Sequence, residues 1–122
     1  MLSLKRFGKS LRYAGRGLVE VFMREHSFRV HVLALIIIVA AIMILGIRGT
    51  DAALLVVVTT LVLVLELVNS IFERFIDVIE PKVGAHVRDF KDIMAGAVLV
   101  TALGALVVGL IIIIPYLQHG RT

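Results

Sequence analysis

The chain has 122 residues, 60% of them hydrophobic, with no cysteine and a formal net charge of +4. That apolar share excludes an ordinary water-soluble domain, and the missing cysteine excludes disulfides and thiolate metal sites. The charge is uneven: residues 1–31 hold seven Lys/Arg against only two acids, Glu20 and Glu25. A basic arm backed directly by lipid-soluble segments matches an anionic membrane surface better than nucleic acid, which is not an expected partner.

Residues 3–24 have the pattern of an amphipathic helix. Leu4, Phe7, Leu11, Ala14, Leu18, Val21 and Phe22 fall on one face, and Lys5, Arg6, Lys9, Arg12 and Arg16 fall opposite. Such a helix lies in the membrane interface, apolar side down and basic side towards headgroups. Packing on a soluble protein core is the plainer alternative. Three apolar segments follow, at about 30–47, 52–72 and 93–117, each near the roughly 20 residues that cross a bilayer. No small-residue cleavage site follows the first, so no cleaved leader is expected.

The first link is short. Gly46 and Gly49 break the helix, and Thr50 or Asp51 can cap the next. The second link is longer and charged, with Pro81 and Gly84 marking its turn. The middle helix is expected to pass the membrane surface and run to about Ile79. The expected architecture is therefore all-α. It is a single membrane domain over 1–122, with a surface helix and arm over 1–28 and three transmembrane helices. On the third helix Ala97, Thr101, Ala105 and Gly109 recur at spacing four, a strip that lets another helix approach, between subunits included. Three thin helices make a small bundle, so an oligomer is expected.

The basic residues set the orientation. Four of them (Arg74, Lys82, Arg88 and Lys91) fall in 69–92, against Arg48 alone in the first link and Arg121 alone after Tyr116. With three spans, the arm and the 69–92 region share a side, and the positive-inside rule makes it the cytoplasmic side of the cell membrane.

That side carries the unusual chemistry. Glu66 ends the charge-free run 52–65 and is followed by Asn69, Ser70, Glu73 and Asp77. At about 100° per residue, all four fall within roughly 60° of Glu66, while Val68, Ile71, Phe75 and Ile79 point away. A carboxylate at the edge of hydrocarbon is expensive and by default marks a functional site. Glu25, Lys91, Asp92, Arg6, Lys9 and Tyr13 are expected at the same interface. Carboxylates on separate helices can hold Mg²⁺ with phosphate oxygens, basic residues can neutralise phosphate, and a boundary carboxylate can take a proton from an alcohol. That set meets the needs of phosphoryl transfer to a lipid hydroxyl. No Walker or kinase glycine-rich loop occurs, which excludes the familiar soluble nucleotide folds.

Plainer readings stand beside each of these. Glu66 can be a buried carboxylate that stabilises packing, and Glu73 and Asp77 a solvated helix face. Lys91 and Asp92 can be a snorkelling lysine and an acidic helix start. His26 and His31 are five apart and stack poorly as metal ligands, while His86 and His119 stand alone.

Over about residues 6–117 the chain resembles the small prokaryotic diacylglycerol kinase family, which includes the undecaprenol kinases. The resemblance centres on Glu66, Asn69, Ser70, Glu73 and Asp77 and on the block KDIMAGAVL at 91–99. Tyr13, Gly17-Leu18, Glu25 and Phe28-Arg29 support it upstream. It implies a homotrimer with active sites shared between subunits and ATP and Mg²⁺ as cofactors. It makes Glu66 the general base and Asn69 its support, with Glu25 and Glu73 holding the metal. Arg6, Tyr13, Asp77, Lys91 and Asp92 would contact or organise the nucleotide. Ile71-Phe72, Arg74, Gly84, Phe90 and a displaced His86 depart from the family's pattern. Pro81, Phe28-Arg29-Val30-His31 and Pro115 resemble the undecaprenol branch and put undecaprenol ahead of diacylglycerol as the lipid alcohol. A proton-coupled transporter using Glu66 is the alternative of another class.

Overall fold

The computed structural model describes residues 3–83 and 86–119, without the side chains of 80–83 and 119. Four helices follow one another, and no strand occurs among the described residues. α1 spans Leu4–Arg24. It starts where Ser3 Oγ accepts the Arg6 amide at 3.1 Å, an N-cap that satisfies one orphan donor. Its apolar face is uncovered: Leu4, Phe7, Leu11, Leu18 and Phe22 are exposed, and only Val21 is buried. A helix with that face open suits the surface of a bilayer. The chain straightens at Glu25, which is extended. Arg29, one turn into the next helix, donates to the Phe22 and Met23 carbonyls, both at 3.0 Å. A cation thereby closes the carbonyl end of α1 and complements its dipole.

α2 spans His26–Leu45 and begins earlier than the expected 30, so His26 and Ser27 are helical. It ends because Gly46 turns left-handed (φ 69°), which lets the Ile47 amide return to the Ile42 carbonyl at 3.0 Å. α3 spans Gly49–Val83. Its start precedes the expected 52, so Thr50 and Asp51 lie inside the first turn and do not cap it. Asp51 instead accepts the Tyr116 hydroxyl at 3.2 Å, tying the start of α3 to the end of α4. At the other end α3 continues beyond Ile79 and passes Pro81, which does not mark a turn. Gly84 and Arg121 lie outside the described residues. α4 spans Val87–His119. It begins before the expected 93 and runs through Pro115, so Lys91 and Asp92 stand on its opening turns.

α2, α3 and α4 are each long and apolar enough to cross a membrane, which makes this a multi-pass membrane protein. α3 is the central helix and packs on both neighbours. At the α2–α3 turn, Ile47, Leu55 and Ile112 form a core closed by Ile42, Val108 and Tyr116. Val21, Phe28, Ile76 and Val87 are buried as well. The chain by itself exposes 9170 Å². A compact water-soluble monomer of 13.4 kDa exposes about 6,500 Å². The excess is apolar helix surface that lipid or further copies must cover.

Candidate active site

The stripe predicted on α3 is present. Glu66 is 5% exposed and Ser70 is buried, Asn69 and Glu73 are half-buried, and Asp77 is exposed. On the reverse face Val68, Ile71 and Phe75 are exposed towards what must be lipid or another subunit. Asp77 lies about 16 Å further along the axis than Glu66, at about 1.5 Å per residue. One helix therefore carries acidic groups from a dry level to an open one.

Glu66 is held from α2. Ser27 Oγ donates to its Oε2 at 3.1 Å, and His31 Nδ1 lies 3.0 Å from its Oε1. The histidine contact is close but lacks the alignment of a hydrogen bond, leaving Nδ1 buried without a hydrogen-bond partner. Neither partner was anticipated. The five-residue spacing of His26 and His31 does not point to this contact; the pair that matters is Ser27 and His31. At spacing four these share a helix face. Two polar side chains so spaced at the head of an apolar helix were the available signal.

Asn69, one turn beyond Glu66, has a buried Oδ1 without a partner. Asp77 accepts from Lys91 Nζ at 3.1 Å, so the structure joins two predicted nucleotide residues across α3 and α4. Asp92 is exposed beside them. Glu25 sits half-buried in the α1–α2 joint, and Glu73 half-buried on α3. No hydrogen bond or ion pair links those two carboxylates. Neither has a cationic partner among the described residues, where no cluster of three or more metal-binding side chains occurs. Glu73, half-buried and without countercharge among the described residues, lies one helical turn from the orphaned Asn69 oxygen, and oxygen donors of this kind suit a hard divalent cation that brings its own phosphate and water ligands.

Arg6 and Tyr13 are not drawn to this group. Both are exposed, and the Arg16 guanidinium lies 5.9 Å over the Tyr13 ring. The ion pair from α1 to α3 runs elsewhere, from Glu20 to Arg74 at 3.4 Å. Tyr13 and Arg6 stand about 10 and 21 Å along α1 from Glu20. Two departures in the loop region also find each other, as the His86 and Phe90 rings stack at 6.1 Å.

A groove of about 350 Å³ opens between α2, α3 and α4. Ala34 and Ile38, Thr59 and Val62, and one face of α4 from Ala102 to Leu117 line it, and His31 stands in its wall. Ala105 and Gly109 of the small-residue strip lie here, and a Cβ built on Gly109 meets nothing within 4 Å. That half of the strip therefore lines a space within the chain. Thr59 turns its hydroxyl back to the Leu55 carbonyl at 2.7 Å, which leaves the groove wall apolar.

Residues 12–113 match the family model for prokaryotic diacylglycerol kinase. The chain belongs to this family. A relative named diacylglycerol kinase, from Synechocystis sp., is 32% identical over 87% of the chain. The chain spans 61% of that relative's length. A relative named undecaprenol kinase, from Bacillus subtilis, is 31% identical over 93% of both chains. No solved structure matches the chain significantly. The family match takes in the α3 stripe, Lys91 and Asp92, and Ser27 and His31 with them.

Proposed function

We propose that this protein is a lipid kinase that uses Mg-ATP to phosphorylate a membrane lipid alcohol, undecaprenol ahead of diacylglycerol. The observation that carries the reading is Glu66: a carboxylate 5% exposed on an apolar helix, with an acidic stripe leading out to a Lys91–Asp77 pair. A water-soluble substrate would not require its base at that depth. A lipid headgroup does, because its hydroxyl sits where hydrocarbon ends. The apolar groove beside His31 gives the lipid's chain a place next to this carboxylate.

In this reading Glu66 takes the proton of the lipid hydroxyl as that oxygen bonds to the transferred phosphoryl group, whose bond to the departing ADP oxygen breaks. Asn69 offers its unpaired Oδ1 to the same headgroup or its water. Glu25 and Glu73 are the carboxylates that would hold the cation. Lys91, positioned by Asp77, faces phosphate charge, with Asp92 beside it, and Arg6 and Tyr13 join the nucleotide from the surface helix. Mg-ATP, when bound, supplies the phosphoryl group and a cation that offsets its charge. The site lies on the cytoplasmic side, where the basic residues put it. Because α1 holds Arg6 and Tyr13 away from the stripe, a neighbouring subunit of a homotrimer is the natural recipient of these two.

Undecaprenol is preferred because the relative of that name matches end to end, 93% of each chain. Diacylglycerol is the second reading, supported by the name of the Synechocystis relative. A transporter reading keeps only Glu66 and leaves the Lys91–Asp77 pair without a task. The test is phosphate transfer from Mg-ATP to undecaprenol and diacylglycerol, side by side, in mixed micelles. Transfer should occur and should fall by roughly 10²- to 10⁴-fold in Glu66→Gln, the usual worth of a general base. Full activity in that variant rejects Glu66 as the base, and no transfer to either lipid rejects the kinase.

A further inference from the structure

We infer that His31, with Ser27, is a positioning residue for Glu66, a role that rests on the kinase reading above. The two residues approach different oxygens of one carboxylate, Ser27 Oγ at 3.1 Å from Oε2 and His31 Nδ1 at 3.0 Å from Oε1. Both come from the first two turns of α2, whose start is fixed by Arg29 bonding back to the end of α1. The clamp is thus anchored at the joint that also carries Glu25.

Physical need supports it. A glutamate side chain has three rotatable bonds, and in an apolar setting few polar groups restrain it. Each carboxylate oxygen has two lone pairs, so one contact per oxygen restrains the group and still leaves a lone pair free to accept a proton. With its proton on Nδ1, the His31 ring donates towards Glu66. Its present misalignment is of the kind that tightens when substrate arrives. A quarter of the His31 side chain is open, and the ring lines the apolar groove. The same ring therefore touches the base and meets whatever enters beside it. Among the described residues no other titratable side chain lines that groove, since α3 contributes Thr59 and Val62 and α4 contributes only apolar residues. A role in packing alone does not explain a polar ring whose Nδ1 is buried 3.0 Å from a carboxylate oxygen.

The test uses purified protein in mixed micelles with Mg-ATP and the lipid alcohol that the wild type phosphorylates. His31→Ala should lower kcat by roughly 10- to 100-fold, the scale of misplacing a reacting group by about 1 Å. The KM for ATP should stay within about twofold, because only Glu66 is disturbed. His31→Gln, whose amide can reach the same oxygen, should recover part of the loss, and Ser27→Ala should give a smaller loss of the same kind. In ¹⁵N-histidine-labelled protein, the His31 Nδ1 resonance should move on Glu66→Gln. Unchanged kcat in His31→Ala, or an Nδ1 signal indifferent to Glu66→Gln, overturns the inference and leaves the kinase intact. A fall in kcat matched by lost trimer or helix content, without recovery in His31→Gln, also overturns it in favour of a packing role. A wild type that phosphorylates neither lipid removes the kinase reading, and this role with it.

Discussion

At the scale of single residues, the site separates into groups already engaged and groups still open. Glu66 is engaged by Ser27 and His31, and Asp77 by Lys91, whereas Asn69 Oδ1 is buried and unpaired. Glu25 and Glu73 have no countercharge among the described residues. This division predicts different kinetic signatures. Lys91→Ala should raise the KM for ATP, by about tenfold for one lost charge-assisted contact of about 1.4 kcal/mol, and leave the KM for lipid alone. Titrations of each substrate at saturation of the other check this. Glu73→Gln should instead shift the Mg²⁺ concentration needed for half-maximal rate upward, and chelation by EDTA should stop turnover in the wild type. The Arg74–Glu20 pair is a surface contact worth about 0–1 kcal/mol. Arg74→Ala should leave both turnover and thermal stability close to wild type.

The elements are shaped by their ends. Arg29 closes α1, and Gly46 closes α2 in a left-handed conformation that an L side chain adopts at a cost of about 1–2 kcal/mol. Gly46→Ala should therefore lower the melting temperature in detergent by several degrees, with kcat at permissive temperature unchanged, since the turn lies at the far end of the bundle from Glu66. Leu55, wholly buried in the core at that end, is the complementary probe. Leu55→Ala should cost about 1–2 kcal/mol, less than in a soluble core because lipid tails rather than water are the alternative surroundings. Element boundaries were the least legible part of the sequence. Hydropathy locates where a span is apolar, but helices continue into water wherever backbone bonding and capping allow. α4 therefore begins before its apolar run, and α3 passes Pro81.

At the scale of the molecule, the chain leaves much apolar surface for lipid or further copies to cover. It exposes 9170 Å², much of it as large apolar side chains on all four helices. The surface helix also carries Arg6 and Tyr13 away from the stripe they are expected to serve. The proposed homotrimer would address both points, by covering apolar faces and by bringing one copy's α1 to another's α3. Native mass measurement in nanodiscs should give three copies. Mixing inactive Glu66→Gln with inactive Arg6→Ala chains should restore activity if the site is shared, and should not if each chain is self-contained.

The sequence alone determined the membrane build, the surface helix and the acidic face of α3, because each depends on periodicity within one helix. It also carried the family resemblance, which the comparisons bore out. Only the tertiary structure decided who meets whom. That Ser27 and His31 clamp Glu66, that Lys91 pairs with Asp77, and that Ala105 and Gly109 line a groove all depend on the relative rotation and depth of separate helices. Packing between helices sets those two quantities, and the residue spacing along any one helix does not record them.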